Sequence, residues 1–435
     1  MFAPHYDIIV VGAGISGLYS ARQLARQYPN LKIALAEKYK GLGGRTYSYS
    51  PPHHEDITWE MGAGRVRRDH RLVIGLLKEY GLTWVPIGEA ISFKKSANSP
   101  IEKNQFESVG IPLYLQPLSF LNKSALENYT IQELMEEIHG ILKTREILAE
   151  FPYRAEVSVL RADLALAGFL GNGEMANHEG YGVVAEGFSE LVKRMRTELE
   201  QLGVVILQKH ELVDFKKSDG GATDLIFKFG YDEPGKPHGT MTLRAQKAVV
   251  LALHKDAVAK LPPFHNWKTL ERLQTAPLLR TYAIFPKRGG KVWFDGMQRI
   301  VTPQRPRYIL PINAEKGVIM ISYTDADDTR DYMRIQKHQG DKALEKAILK
   351  DIRALFPGLY IPNPTFFRSH PWETGATYWL PGNYNPWVAS EGACKPLGGT
   401  IWMCGESWSL RQAWVEGALE HTDLMLGKLK KELNA

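Results

Sequence analysis

An apolar segment near the start of the chain leads directly into a spaced set of glycines. Residues 6–17 read YDIIVVGAGISG, which places Gly12, Gly14 and Gly17 after an apolar strand. In such a motif the first glycine permits a tight turn, the second lets a pyrophosphate approach the backbone, and the third allows close helix–strand packing. The next segments, SGLYSARQLARQ and LKIALAE, have the patterns of a helix and a second buried strand. The stretch therefore predicts a βαβ unit that binds a dinucleotide at the start of its helix.

A carboxylate closes the second predicted strand. Glu37 lies 20 residues beyond Gly17, where dinucleotide-binding units place the acid that holds ribose hydroxyls. Lys38 follows it, and Ile15 and Ser16 open the predicted helix, where free backbone N–H groups face a phosphate. These residues together predict a ribose contact and a phosphate contact of one dinucleotide site.

The composition restricts the class of protein further. A chain of 435 residues exceeds one compact core, so we expect two or three domains. Its 54 basic and 48 acidic side chains give a net charge of +6 that is not concentrated in a tail, and we expect no nucleic-acid partner. The two cysteines, Cys394 and Cys404, lie at no disulfide-framework or metal-ligand spacing. This cysteine usage indicates a reducing compartment and no metal site.

The first predicted strand begins within five residues of the start of the chain. This leaves no room for a signal peptide before folded structure. No apolar run reaches the roughly 18 residues of a membrane span. We therefore expect a cytoplasmic protein without membrane contact.

Four further motifs extend the pattern along the chain. They are GLGGRTYS at 41–48, MGAGR at 61–65, ELVDF at 211–215 and IWMCGESWSLRQAWVEGALEH at 401–421. An ordinary loop with a surface arginine would explain the first of them alone. Together with YGVVAEGFSELVKRM at 181–195, they resemble the flavin-containing amine oxidase superfamily and its L-amino-acid oxidase branch.

This resemblance implies an FAD cofactor. We predict that FAD is held non-covalently, because ETGATYW at 373–379 lacks the cysteine through which monoamine oxidases attach it. The resemblance assigns FAD contacts to Gly12, Gly14, Ile15, Ser16, Gly17, Glu37, Lys38, Gly44, Arg45, Gly62, Ala63, Gly64, Arg65, Leu212, Glu406, Trp414 and Val415.

The implied fold class is α/β, with a Rossmann-like, doubly wound FAD-binding domain interleaved with a mixed-sheet substrate domain and a helical insertion. We assign 1–82, 181–262 and 390–435 to the FAD-binding domain, 83–121 and 263–389 to the substrate-binding domain, and 122–180 to the helical insertion. Periodicity predicts helices at 70–80 and 341–355, whereas the stretch at 370–400, rich in Pro, Gly and Trp, indicates a loop.

The segment MGAGRVRRDHRLV at 61–73 distinguishes branches of the superfamily. Its glycine turn followed by Arg65 is similar to snake-venom-type L-amino-acid oxidases and to bacterial tryptophan oxidases, whose matching arginine binds the substrate carboxylate. A guanidinium suits this role because its planar fork matches a carboxylate bidentately. A structural Arg65, ion-paired within the fold, is the alternative. We expect the other arginines of the segment to be solvated or paired with Asp69 and Glu79: Arg67, Arg68 and Arg71.

Candidate substrate contacts lie elsewhere in the chain. Tyr323, in ISYTD, matches a tyrosine near the substrate of tryptophan oxidases, and Tyr308 competes with it. By the same resemblance Trp414 and Tyr378 form aromatic walls beside the flavin. In LLRTYAIFP, Arg280 replaces the lysine that family members place near flavin N5. Arg280 keeps the charge but not the shape, so it either supports reoxidation, contacts an acidic substrate group, marks a poor oxidase or is structural.

The predicted reaction is oxidation of an L-amino acid. Hydride transfer from the substrate Cα to the flavin gives an imino acid, which hydrolyses to a 2-oxo acid and ammonia, while O₂ becomes hydrogen peroxide. The alternatives are an amine or polyamine oxidase of the same fold and a flavin-binding protein without turnover. The family default is a homodimer. Several substrate side chains fit, with a large or aromatic one and a basic one as the leading choices.

Overall fold

The computed structural model describes residues 4–54, 56–88, 90–171, 173–176, 180–232 and 236–434. The chain divides into two compact units built from alternating segments. The first unit comprises Met1–Pro86, Gly180–Leu273 and Tyr384–Ala435, and the second comprises Ile87–Glu179 and Gln274–Asn383. The predicted division into FAD-binding, substrate-binding and helical parts stays a prediction, since the units are defined by contacts and not by function.

The described residues form nineteen strands: β1 His5–Val11, β2 Ile33–Ala36, β3 Ser48–Tyr49, β4 Trp59–Glu60, β5 Val66–Arg67, β6 Trp84–Pro86, β7 Ile91–Phe93, β8 Glu102–Lys103, β9 Tyr181–Val184, β10 Val205–Leu207, β11 His210–Lys217, β12 Thr223–Asp232, β13 Lys236–Leu251, β14 Leu273–Ile284, β15 Arg299–Val301, β16 Tyr308–Asn313, β17 Val318–Asp325, β18 Phe366–Trp379 and β19 Ile401–Met403.

The same residues form thirteen α-helices: α1 Ile15–Gln27, α2 Arg71–Glu79, α3 Lys123–Asn128, α4 Ile131–His139, α5 Ile141–Leu148, α6 Ala155–Ser158, α7 Ala162–Phe169, α8 Phe188–Gln201, α9 Lys255–Val258, α10 Arg330–Gln339, α11 Asp341–Leu355, α12 Pro386–Ala393 and α13 Val415–Leu433. A π-helix spans Phe106–Leu115, and short 3₁₀ turns lie at Gln116–Phe120, Asp219–Gly221, Pro262–Phe264, Lys268–Arg272, Ala326–Thr329 and Glu406–Trp408.

The first unit is built on a sheet of order β10-β2-β1-β13-β12-β11, with β19 paired to β13. The strands β10, β2, β1, β13 and β19 run parallel, whereas β11 and β12 form an antiparallel extension. Helix α1 packs against α8 and α13. Val11 pairs with Ala36 and Leu251, and Leu251 pairs with Met403, so these four strands end in line. In doubly wound sheets this carboxyl edge is the ligand-binding edge.

The second unit contains a sheet of order β18-β14-β17-β16-β15-β7-β8. It is mixed, because β15 and β7 are parallel, whereas β14, β17, β16 and β15 form successive antiparallel pairs. The apolar face of α11, formed by Leu344, Ile348 and Ile352, belongs to the same core as Ile319 and Ile321 of β17. The helices α3 to α7 complete this unit.

The two helices predicted from periodicity at 70–80 and 341–355 agree with the structure, whereas the loop predicted from composition at 370–400 is wrong. Helices α2 and α11 match the predictions for 70–80 and 341–355. The stretch 370–400 is not a loop, because Phe366–Trp379 is a long strand and Pro386–Ala393 is a helix. The strand lies at the edge of its sheet, where a proline is tolerated. A Cβ at Gly375 would lie 2.6 Å from the Cβ of Leu278, so its glycine permits close pairing with β14.

Candidate functional site

The first glycine turn has the shape of a phosphate cradle. Gly12 has a φ of +96°, and a Cβ on it would lie 2.5 Å from the carbonyl oxygen of Ala252. A Cβ at Gly17 would lie 1.8 Å from the carbonyl oxygen of Gly12. Gly14 caps α1 without a side-chain bond, and the first turn of that helix carries no acid. No carboxylate in the first turn of α1 therefore offsets the positive end of the helix dipole, which favours binding of an anion there.

Glu37 lies at the carboxyl edge of the sheet, directly after β2. Its Oε2 accepts a hydrogen bond from the N–H of Ala13 at 2.7 Å, and its Oε1 accepts one from Tyr39 at 2.9 Å. Burial raises the pKa of the Glu37 carboxyl. The Nζ of Lys38 lies 2.7 Å from Oε1 of Glu211. This ion pair joins the end of β2 to β11, next to the predicted FAD contact at Leu212.

A second glycine turn lies against the first. The N–H of Gly43 donates to the carbonyl oxygen of Ala13 at 2.8 Å. Gly43 and Gly44 both have positive φ, +105° and +58°, which explains the paired glycines of GLGGR. The carbonyl oxygen of Arg45 accepts a hydrogen bond at 2.9 Å from Ala63, in the predicted Gly62–Gly64 contact segment. The structure thus brings three predicted FAD-contact segments together.

The C-terminal motif reaches the same region through an ion pair. Nη1 of Arg45 lies 2.8 Å from Oε2 of Glu406, which is buried. Oε1 of Glu406 accepts a hydrogen bond from the N–H of Ala413 at 2.9 Å. Ala413 has a φ of +65°, and the chain then turns through Trp414 into α13 at Val415. Glu406 therefore fixes both the GLGGR arginine and the approach to the predicted flavin-ring contacts.

Arg65 lies directly before β5 and is half-buried. Its Cζ is 5.0 Å from the ring centroid of Tyr181 and 5.5 Å from that of Trp414. The two rings stack on each other with centroids 5.8 Å apart and an angle of 15°. Pairing of β5 with β9 sets this arrangement, because Val66 is opposite Gly182. A cation–π contact engages the charge of a guanidinium and leaves its N–H donors available, so these contacts are compatible with a bound carboxylate.

The neighbouring arginines behave as predicted with one exception. Arg67 pairs bidentately with Asp69, at 3.0 and 3.1 Å, as predicted. Arg68 and Arg71 are exposed. The predicted pairing of this segment with Glu79 is wrong. Glu79 instead lies against two arginines of α1, as described next.

An ionic cluster around the buried Arg22 ties α2 to α1 and α8. Glu79 pairs with Arg22 and, at 2.7 Å, with Arg26. The Nε of Arg22 lies 2.9 Å from Oε2 of Glu198. Because Arg22 is only 2% exposed, its charge requires acidic partners, and Glu79 supplies one of them.

The second unit places Arg280 beside Tyr323. They are directly paired residues of β14 and β17, and the Cζ of Arg280 is 4.8 Å from the Tyr323 ring centroid. Tyr308, the competing candidate, stacks on Tyr323 at 6.4 Å. Tyr153 contacts Tyr323 edge-on at 5.4 Å and was not anticipated from the sequence. Burial lowers the pKa of Arg280, but Tyr282 and Tyr323 act against it and the net change is upward.

Tyr378 is buried in β18, and its hydroxyl donates to Oε1 of Glu156 at 3.3 Å. This hydrogen bond lies wholly within the second unit. The predicted pairing of Tyr378 with Trp414 as aromatic walls stays a prediction.

Three residues around Arg65 were missed by sequence reasoning. Tyr181 supplies a ring that makes a cation–π contact with the Arg65 guanidinium. His70 contacts Trp414 edge-on at 5.4 Å. Glu416 accepts the N–H groups of Leu72 and Val73, both at 2.9 Å, and so caps α2. The motif AWVEGALEH contains Glu416, but only the tertiary contact reveals its partner.

Within the part of the chain that the structure describes, no group of three or more His, Cys, Asp or Glu side chains has the arrangement of a metal site. No helix there is both long enough and apolar enough to cross a membrane.

The chain is similar to several proteins over nearly its whole length. Aplysianin-A of Aplysia kurodai is 22% identical over 500 aligned residues, which cover 97% of this chain and 89% of that protein. An L-amino-acid oxidase of Siganus canaliculatus is 21% identical over 467 residues, covering 96% and 84%. The structure of a putrescine oxidase bound to putrescine has a TM-score of 0.74 at 14% identity and covers all of both chains. This last likeness shows the fold and confirms the predicted α/β class.

The sequence profile of the flavin containing amine oxidoreductases matches residues 15–421. The residues present fit a bound flavin dinucleotide. Gly12 has no room for a side chain, so the backbone of its turn stays accessible, and the first turn of α1 has no acidic residue that would repel a phosphate. The prediction of non-covalent FAD is thereby confirmed. The chain belongs to the flavin-containing amine oxidoreductase family, and its cofactor is FAD.

Proposed function

We propose that this protein is an FAD-dependent L-amino-acid oxidase. The observation that carries the proposal is the half-buried Arg65, held against Tyr181 and Trp414 in the unit that contains the glycine turns. The proposed reaction converts an L-amino acid, O₂ and water to a 2-oxo acid, ammonia and hydrogen peroxide. The likeness to the oxidase of Siganus canaliculatus supports the same class.

Arg65 binds the α-carboxylate of the substrate in this proposal. Two parallel N–H donors match two carboxylate oxygens and fix the orientation of the amino acid, which a single charge does not. Tyr181 and Trp414 hold the guanidinium through cation–π contacts, so less freedom is lost when the carboxylate binds. FAD, when bound, would supply the acceptor for the hydride of the substrate Cα–H bond, with O₂ as the final electron acceptor. Arg280, Tyr323 and Tyr378 remain predicted substrate contacts.

The second candidate is an amine oxidase of the same fold. The likeness to putrescine oxidase extends over the whole chain, but at 14% identity it supports the fold and not the substrate. The two candidates differ at one chemical group, because an amine has no carboxylate for Arg65 to bind. The substrate carboxylate is therefore the feature to test.

Anaerobic bleaching of the purified holoenzyme separates the candidates. The twenty L-amino acids, spermine, putrescine and benzylamine are mixed singly with the protein, and the flavin absorbance is followed. We expect one or a few L-amino acids to bleach it. In Arg65→Ala the rate should fall roughly 100-fold or more, because two charge-assisted hydrogen bonds of about 1.5–3 kcal/mol each are lost. Arg65→Lys should recover only part of it.

The matched control is Arg68→Ala, which removes an exposed arginine of the same segment. It should bleach at the wild-type rate. Bleaching by amines alone, unaffected by Arg65→Ala, would contradict the proposal and favour the amine oxidase. Bound FAD that no compound bleaches would favour a protein without turnover.

A further inference from the structure

The segment that follows β13 lies beside the phosphate cradle. β13 ends in line with β1 and β19, so the next residues extend over the same sheet edge as the Gly12 turn. The N–H of Ala252 donates to Val11 at 2.8 Å, and its carbonyl oxygen is the atom that excludes a Cβ from Gly12. The N–H of Lys255 donates to Oγ of Ser407 at 3.1 Å. His254 therefore lies between the Gly12 turn and the Glu406 segment.

The two ring nitrogens of His254 have different surroundings. Nδ1 is closed to solvent, and no described residue forms a hydrogen bond with it. Nε2 is not among the solvent-shielded atoms, and no described residue forms a hydrogen bond with it. A buried N–H without an acceptor is costly, so the neutral ring keeps its hydrogen on Nε2. The N–H on Nε2 of His254 is thus available to an acceptor that the described residues do not supply.

Burial, more than the surrounding charges, keeps the His254 ring neutral. Burial, and then the positive charge of Arg45, lower the pKa of His254 to about 4. Lys260 acts in the same direction, whereas Asp256 and Glu406 oppose it. Arg45 and Glu406 are ion-paired at 2.8 Å, so the ring is surrounded by largely compensated charges. A neutral imidazole that donates from Nε2 is the form present near pH 7.

We propose that Nε2–H of His254 donates a hydrogen bond to the pyrophosphate of FAD. The pyrophosphate belongs at the Gly12 turn and the start of α1, and the segment carrying His254 is packed on that turn. The start of α1 offers a pyrophosphate backbone N–H groups, and a neutral side-chain donor from the adjoining strand complements them. This contact rests on the FAD cofactor and not on the identity of the oxidised substrate.

The test measures FAD affinity without any substrate. Holoenzyme is stripped of FAD and titrated with FAD, and the quenching of flavin fluorescence gives the Kd. In His254→Ala the Kd should rise roughly 10- to 100-fold, as expected for one hydrogen bond to a charged group. His254→Gln places an amide N–H near the position of Nε2 and should recover most of the affinity. His254→Asn places its amide near Nδ1 and should not.

Two further measurements separate the proposal from a structural role. The dissociation constant of ADP, which carries a diphosphate without flavin, is obtained by competition with FAD and should rise in His254→Ala by a similar factor. The ratio of the His254→Ala and wild-type Kd values should be constant between about pH 7 and pH 9, because the donor is neutral. The exposed His265 supplies the control, and His265→Ala should leave the Kd unchanged.

An unchanged Kd in His254→Ala would overturn the proposal, as would equal losses in His254→Gln and His254→Asn. A ratio that falls as the pH rises would instead indicate a charged histidine and would also overturn it. If His254→Ala does not fold, the comparison of the Gln and Asn variants decides. A failure of amino acids to bleach the flavin leaves these affinities unaffected, so the two proposals fail separately.

Discussion

Glu416 is the buried carboxylate whose removal should most clearly disturb the Arg65 segment. It is 3% exposed, and its two oxygens accept the N–H groups of Leu72 and Val73, each at 2.9 Å. These donors lie in the first turn of α2, which follows the strand that Arg65 precedes. Glu416→Gln keeps the shape of the side chain but replaces one acceptor oxygen with an NH₂ group. One backbone donor then loses its acceptor, and the other bonds to a neutral oxygen.

The expected loss in the free energy of unfolding follows from these two hydrogen bonds. A hydrogen bond to a charged group is worth roughly 1.5–3 kcal/mol and a neutral one about 1 kcal/mol, while an unsatisfied buried donor costs about 1–3 kcal/mol. Loss of a negative charge at the start of α2 removes roughly a further 0.3–1 kcal/mol. Because the contributions overlap, we expect the free energy of unfolding of the first unit to fall by about 2–4 kcal/mol.

Urea unfolding of the holoenzyme measures this loss. Far-UV circular dichroism and the release of flavin fluorescence report on the chain and on the cofactor-binding unit, respectively. The control is Glu391→Gln, which breaks an exposed ion pair with Lys428 and should cost less than about 1 kcal/mol. A loss below about 1 kcal/mol in Glu416→Gln, or one equal to the control, would refute the assignment of Glu416 as the cap of α2.

Two further perturbations test the aromatic contacts and a buried acid. Tyr181→Leu should raise the KM for the L-amino acid roughly 2- to 30-fold, because it removes a cation–π contact of about 0.5–2 kcal/mol from Arg65. Tyr181→Phe keeps the ring, and equal KM values for the two variants in steady-state kinetics would contradict this role. Burial raises the pKa of Asp325 from 3.8 to about 6, so the folded protein binds this proton more tightly than the unfolded chain. The stability of the wild type relative to Asp325→Asn, measured by urea unfolding, should therefore be highest near pH 4 and fall as the pH rises through about 6; a rise over that range would be the opposite of the expected sign.

The sequence predicted those features whose causes are local. Gly17 is required by a contact within the turn itself, because a Cβ on it would lie 1.8 Å from the carbonyl oxygen of Gly12. Glu37 bonds to Ala13 within the same βαβ unit, so its place follows from the motif spacing. Helix α2 begins and ends where periodicity and Gly81 indicate, because its apolar face is encoded in nine consecutive residues.

Contacts between distant segments were not predictable in the same way. Tyr181 reaches Arg65 because β9 pairs with β5, and neither short strand has a periodicity that specifies its partner. Glu416 bonds to α2 from the other end of the chain. The strand Phe366–Trp379 contains Pro and Gly, which indicate a loop when read locally, and its pairing with β14 overrides that preference.

Arg280 has a chemical consequence that follows from its surroundings. Its side chain is buried against Tyr323, and nearby tyrosines raise its pKa although burial alone would lower it. An arginine in this setting stays charged and has no lone pair to accept a proton, whereas a buried lysine readily loses its charge and then serves as a base. Arg280 is therefore restricted to holding or repelling charge. If the protein oxidises amino acids, the proton of the substrate ammonium must leave to another acceptor, either solvent before binding or a group other than Arg280.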